Sequence, residues 1–206
     1  MNQTENLELI SDVIKKLSGK NSYKWYSAIQ HAIHKKEYWG RIGILPDRIP
    51  VQKLTAKTLK RRVLNSGCEI DNYVEDMMMH KDFYASRVKA NVKFAIIQTN
   101  VILPSERKEY GGKYPIEEFL EKLENHPLYE LCEHSDPFFV RLNYHNQPLD
   151  ERLITAMKPI TISKTGKPGG VFVLYTDDQN SEYIYSYQHY DTSQLRDKNL
   201  WLVRVK

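Results

Sequence analysis

The sequence predicts an α+β protein, an N-terminal helical bundle followed by a C-terminal, mainly antiparallel sheet with one packed helix. Three observations lead there. Up to residue 90, apolar side chains recur every three or four positions. From residue 138 onward, short β-branched and aromatic runs alternate with polar or Gly-bearing turns. Finally, 206 residues of 41% hydrophobic and 27% charged content suffice to bury a core and exclude a disordered or low-complexity chain. Residues 1–90 and 91–206 are the natural divisions, as two regions or as one continuous domain.

The first helix is capped by Thr4, carries Leu7, Ile10, Val13, Ile14 and Leu17 on one stripe, and stops at Gly19. A second runs from Ser22 to Trp39, with Trp25, Ala28, Ile29, Ala32 and Ile33 on its inner side. Gly43, Pro46 and Pro50 mark a loop. A third helix is expected over residues 55–65, closed by Ser66 and Gly67, and a fourth over 71–90 with Val74, Met77, Met78, Ala85 and Val88 inward. Residues 92–103 read as a buried strand, with a short helix as the alternative, 104–113 as a charged loop, and 115–126 as a helix behind Pro115. Residues 138–144 alternate weakly, as a strand would. Residues 160–163, 171–176, 182–190 and 200–205 complete the sheet, with 171–176 and 182–190 forming a hairpin.

No period of 20–50 residues recurs, which excludes a repeat protein. The longest apolar runs, 94–97 and 171–175, are far too short to span a bilayer, so no membrane partner is expected. The first eight residues carry two acids and no basic cluster, unlike a signal peptide. With Cys68 and Cys132 alone, a disulfide scaffold is not expected, and the reducing cytoplasm is the expected compartment.

The net charge of +4 is unevenly spread. Residues 1–100 hold 17 Lys and Arg against 10 Asp and Glu, leaving 13 against 16 in the remainder. Arg41, Arg48, Lys53, Lys57, Lys60, Arg61 and Arg62 fall in one stretch opposed only by Asp47. Such a local positive field suits phosphate backbones, DNA or RNA, although a solvated basic face has the same composition. Within it, Ala56, Leu59 and Val63 share one helical face, while Lys57, Thr58, Lys60 and Arg61 fall on the other and Thr55 caps the start. This segment resembles the second helix of helix-turn-helix domains, which buries one side and offers cations and hydroxyls to a groove. Together with the basic stretch around it, the segment is expected to make contacts through Arg48, Lys53, Thr55, Lys57, Thr58, Lys60, Arg61 and Arg62. Preceding it is a long Pro-containing loop where that family has a short turn.

A secondary surface is expected on the C-terminal hairpin. Tyr183, Tyr185 and Tyr187 point to one face of a strand, and with Lys164 and Lys167 they would suit stacked single-stranded bases. The same tyrosines would serve equally as packing residues or as anchors of a homodimer. The leading expectation is therefore a non-catalytic, regulatory nucleic-acid-binding protein. One alternative is an accessory protein, such as a phage or mobile-element product, that binds and inhibits a host protein. A second is a small metal-independent ribonuclease built on His189, Asp191, Arg196 and Lys164. No cofactor or metal is expected. His31 and His34 lack a third ligand, Glu130, Cys132 and His134 lack a second cluster, and no familiar nucleotide or hydrolase motif occurs.

Overall fold

A computed structural model describes residues 43–45, 48–84, 90–103, 113–114, 116–145, 147–148, 151–162, 167–188, 195–196 and 199–206, all within the compact unit Ile42–Lys206. The two helices expected within residues 4–39, with His31 and His34, lie outside the described residues, as do Lys164, His189 and Asp191.

The described chain is mostly sheet. In chain order it forms β1 (Gly43–Ile44), β2 (Ile49–Val51), α1 (Ala56–Asn65), β3 (Glu69–Ile70), α2 (Asn72–Met79), β4 (Ala90–Val92), β5 (Phe94–Gln98) and α3 (Thr99–Ile102). There follow β6 (Lys113–Tyr114), α4 (Ile116–Glu124), β7 (Tyr129–Glu130), α5 (Asp136–Arg141), β8 (Arg152–Thr155) and β9 (Ile160–Ile162). The chain ends with β10 (Lys167–Thr176), β11 (Glu182–Gln188), β12 (Leu195–Arg196) and β13 (Leu200–Val205). Nine strands make one mixed sheet in the order β1-β5-β13-β8-β10-β11-β3, with β7 beside β13 and β9 beside β10. β13–β8 and β11–β3 are parallel; the other pairs are antiparallel. β2–β4 and β12–β6 are separate two-stranded ladders.

This overturns the helical bundle expected over residues 1–90. From residue 43 onward that stretch alternates strands with helices, and it delivers β1 and β3 to the same sheet that the C-terminal half builds. The fourth expected helix stops at Met79, with Val74, Met77 and Met78 buried on its inner side and Met79 80% exposed. His80 is extended and ends the helix, and residues 90–92 are strand β4. The expected C-terminal sheet "with one packed helix" is likewise corrected. Residues 136–141 are helix α5, not strand, and all six are buried.

The register sets the two faces of the sheet, because successive side chains alternate. Phe172, Leu174 and Ile184 lie on one face, which α2 and α5 cover: Phe138 meets Phe172 edge-on with centroids 5.1 Å apart. Gly170 lets α2 approach closely here, since a Cβ at that position would stand 3.0 Å from Met77 Sδ. On the other face, Tyr185, Val173, Ile154 and Trp201 fall in one cross-strand row. α4 covers this face at β13, where Phe119 stacks on Trp201 at 4.2 Å and Trp201 Nε1 donates to Thr99 Oγ1 at 3.0 Å. Burial of these aromatic rings stabilises the fold by roughly 1.5–3 kcal/mol per side chain.

Buried charges pin α5 at both ends. Asp136 receives Arg204 Nε at 2.6 Å and Nη2 at 2.8 Å, plus the Glu133 amide at 2.7 Å. Arg141, wholly buried, donates to Gln147 Oε1 and to the Tyr175 carbonyl at 3.2 Å, and pairs with Glu182 at 3.2 Å. Burial of the Asp136 carboxyl is the dominant influence on its pKa and raises it to about 6, against the opposing pull of Arg204.

Candidate nucleic-acid interface

The helix expected over residues 55–65 is present as α1, and local chemistry explains both its ends. Thr55 is extended; its hydroxyl accepts the Thr58 amide at 3.2 Å and donates to Thr58 Oγ1 at 3.0 Å. At the far end, Ser66 N–H reaches the Arg62 and Val63 carbonyls, and Gly67 takes φ 89°, a left-handed conformation that glycine adopts without a Cβ penalty. Leu59 and Val63 are fully buried, with Ala56 and Leu54 packed against the same core.

The outer side carries Lys57, Thr58, Lys60, Arg61, Leu64 and Asn65, which line a surface depression. Of the eight expected contact residues, Lys53, Lys57 and Arg61 are exposed and have no ion pair among the described residues. Arg48 and Arg62 are exposed but tethered. Arg62 donates to Gln52 Oε1 at 3.0 Å, and Arg48 reaches the Asn91 carbonyl at 3.5 Å. Lys60 is half compensated by Glu75 of α2, 2.7 Å away. Thr55 and Thr58 spend their hydroxyls on the cap. The element before α1 is strand β2, so a strand, not an upstream helix, leads into it.

Two features of α1 are unfavourable, beside the favourable Thr55 cap and Arg62 in the last turn. Its first turn has no acid, Lys57 stands there against the positive end of the helix dipole, and Lys57 and Arg61 are like charges four residues apart. Each feature is unfavourable by about a few tenths of a kcal/mol.

The expected tyrosine surface is brought together in part. Tyr175 and Tyr183 oppose each other directly across β10–β11, with ring centroids 6.1 Å apart; Tyr185 meets Tyr175 nearly at right angles, also at 6.1 Å. Tyr185 and Tyr187 are half-buried and pack against the core, and burial pushes the Tyr185 hydroxyl pKa up. Lys167 lies in β10. Arg152 was missed in the sequence, because its place beside Tyr175 depends on the β8–β10 register.

Other candidate groups have structural partners. Burial lowers the His134 pKa, its Nδ1 accepts the Tyr84 amide at 3.3 Å, and its Nε2 meets the Lys158 carbonyl at 2.9 Å; Cys132 donates to the Leu202 carbonyl. Among the described residues, no helix is long and apolar enough to cross a membrane, and no group of three His, Cys, Asp or Glu could hold a metal ion. The expected Arg196 lies in β12. Compared with protein-family models, curated proteins and solved structures, the chain matches none of them.

Proposed function

We propose that this chain is a non-catalytic nucleic-acid-binding protein whose principal contact is the outer side of α1. The observation that carries the proposal is the exposed pair Lys57 and Arg61, without an ion pair among the described residues, on a helix whose Leu59 and Val63 are fully buried. A cation pair that weakens its own helix gains a purpose if an external polyanion neutralises it. Lys53 extends the positive surface just upstream, and Lys60 is available wherever phosphate displaces Glu75.

The test is fluorescence anisotropy with labelled duplex DNA, single-stranded DNA and hairpin RNA at several salt concentrations, with the same samples run on a denaturing gel. Changing Lys57, Lys60 and Arg61 together to Ala weakens binding and flattens the salt dependence, by about 0.9 in log–log slope for each duplex phosphate that is no longer neutralised. A triple variant that binds like the parent overturns the proposal. Cleaved probe transfers the function to a ribonuclease.

A protein partner is the second reading, and it draws on Leu64, 44% exposed at the end of the same cationic row. An acidic partner surface with an apolar pocket would fit that combination. A nuclease-resistant complex that Leu64→Ala abolishes, with no nucleic-acid binding by the parent, selects this reading.

A further inference from the structure

The tyrosine face of β8, β10 and β11 forms a second concavity, on the opposite side of the sheet from Phe172 and α5. Its volume is about 420 Å³ and it is lined by Arg152, Tyr175, Asp177, Tyr183 and Tyr185. We infer that it is a subsite for one unpaired nucleobase of a single strand, with the adjoining phosphate on Arg152. This inference rests on the proposed nucleic-acid binding and says which strand form the protein prefers.

Register builds the site. Arg152, Tyr175 and Tyr183 are direct neighbours across three strands, and Tyr185 sits one step along the same face beside buried Val173. Rings 6.1 Å apart leave no room for a base between them. Tyr175 and Tyr185, at 84°, instead form a corner in which a planar base stacks on one ring and meets the other edge-on.

Charge decides the class of ligand. Three tyrosines beside a carboxylate would suit an ammonium or guanidinium group if that carboxylate faced the ligand. Asp177 is already committed to the hairpin turn. Its Oδ1 accepts the Gln179 and Ser181 amides at 3.0 and 2.7 Å, and its Oδ2 accepts the Tyr183 hydroxyl at 3.1 Å. Arg152 is exposed, has no ion pair among the described residues, and lies 5.9 Å from the Tyr175 ring centroid. Its guanidinium lies at the β8 end of the row, over an aromatic face, and Glu69, the neighbour of Tyr183 on β3, lies at the other end, so a ligand phosphate is drawn to the Arg152 end, where the planar fork can bind it.

The experiment compares a short single-stranded oligonucleotide with a hairpin duplex of equal phosphate number, for the parent, Tyr185→Leu, Arg152→Gln and the triple α1 variant. Tyr185→Leu is expected to weaken single-strand binding about tenfold and leave duplex binding unchanged. Arg152→Gln is expected to flatten the single-strand salt slope by about 0.7. Arg152 is exposed, so its variant keeps the test decisive if the tyrosine variant unfolds. Parent-like single-strand affinity and slope in both variants, with weakened binding in the α1 variant, overturns the subsite and leaves the α1 proposal standing. A parent that binds neither probe overturns both.

Discussion

Glu75→Gln separates nucleic-acid contact by α1 from mere exposure of its lysines. Glu75 lies in the first turn of α2, 2.7 Å from Lys60, with both side chains about one-third exposed. An exposed pair of this kind contributes about half a kcal/mol at most, and the carboxylate contributes a similar amount against the positive end of the α2 dipole. The variant is therefore slightly less stable, by up to about 1 kcal/mol. Its binding is expected to change in the opposite sense. Freeing Lys60 adds up to one phosphate contact, which steepens the log–log salt slope by about 0.9. Across a fourfold rise in salt, from about 50 to 200 mM, the variant should lose about three- to fourfold more affinity than the parent, starting from tighter binding at the low end. Anisotropy titrations give the slope, and chemical denaturation gives the stability. The effect must vanish when Lys60 is already Ala, which makes the pair a double-mutant cycle. General destabilisation cannot imitate tighter binding. A slope in Glu75→Gln equal to or shallower than the parent's refutes the place of Lys60 in the contact.

Four further outcomes test the scaffold. Thr55→Ala removes the hydroxyl that receives the Thr58 amide and should cost about 1 kcal/mol in urea denaturation, whereas Thr55→Ser should retain most of it. Arg204→Gln strands the buried Asp136 carboxylate and should cost about 3–5 kcal/mol at neutral pH, with the deficit shrinking as pH falls and the carboxyl takes up its proton. In the parent, the rise of this carboxyl from 3.8 to about 6 gives a contribution that is complete below the lower value. That contribution is lost as pH rises through the upper one, so denaturation midpoints across this window should carry that slope. Cys68, whose pKa burial pushes up to about 12, and Cys132, also raised by burial, should resist iodoacetamide in the folded protein and react on unfolding; mass spectrometry that finds either modified at the rate of a free thiol would contradict their burial.

What could be read from the sequence was what neighbouring residues decide among themselves. Helix α1 was legible because its cap, its apolar spacing and its stop at Gly67 all lie within a dozen or so residues. The β10–β11 hairpin was legible for the same reason, with Asn180 supplying the positive φ in the turn. Strand β3 was not, since two residues carry no period and Glu69–Ile70 is a strand only through its pairing with Tyr183 and Ile184. Asp71 shows how such distant contacts add up: one carboxylate oxygen caps α2 through the Tyr73 and Val74 amides, and the other receives the Ser186 amide of β11. Phe138, Phe139 and Val140 have strand propensity, but the segment is helical, with Arg204 holding Asp136 at one end and Arg141 reaching the Tyr175 carbonyl at the other, contacts no local pattern shows.

The same distinction governs the candidate site. Seven cations against one acid is a statement about a linear stretch, and it overstates the field that the fold presents. Glu75 answers Lys60 from the next helix, Gln52 and the Asn91 carbonyl hold Arg62 and Arg48, and neither effect leaves a mark in the local composition. Of that stretch's described residues, Arg48, Lys53, Lys57, Arg61 and Arg62 are exposed and without an ion pair among the described residues, Arg48 and Arg62 being held by neutral oxygens. Conversely, Arg152 counted for nothing in the sequence because Asp150 and Glu151 precede it and offset it in the local composition, and it gained its place only when β8 laid it beside Tyr175. Charge that matters for binding is thus the remainder after the fold has paired its own, and that remainder lies on two separate surfaces: a cationic helix suited to phosphate, and an aromatic corner suited to a base.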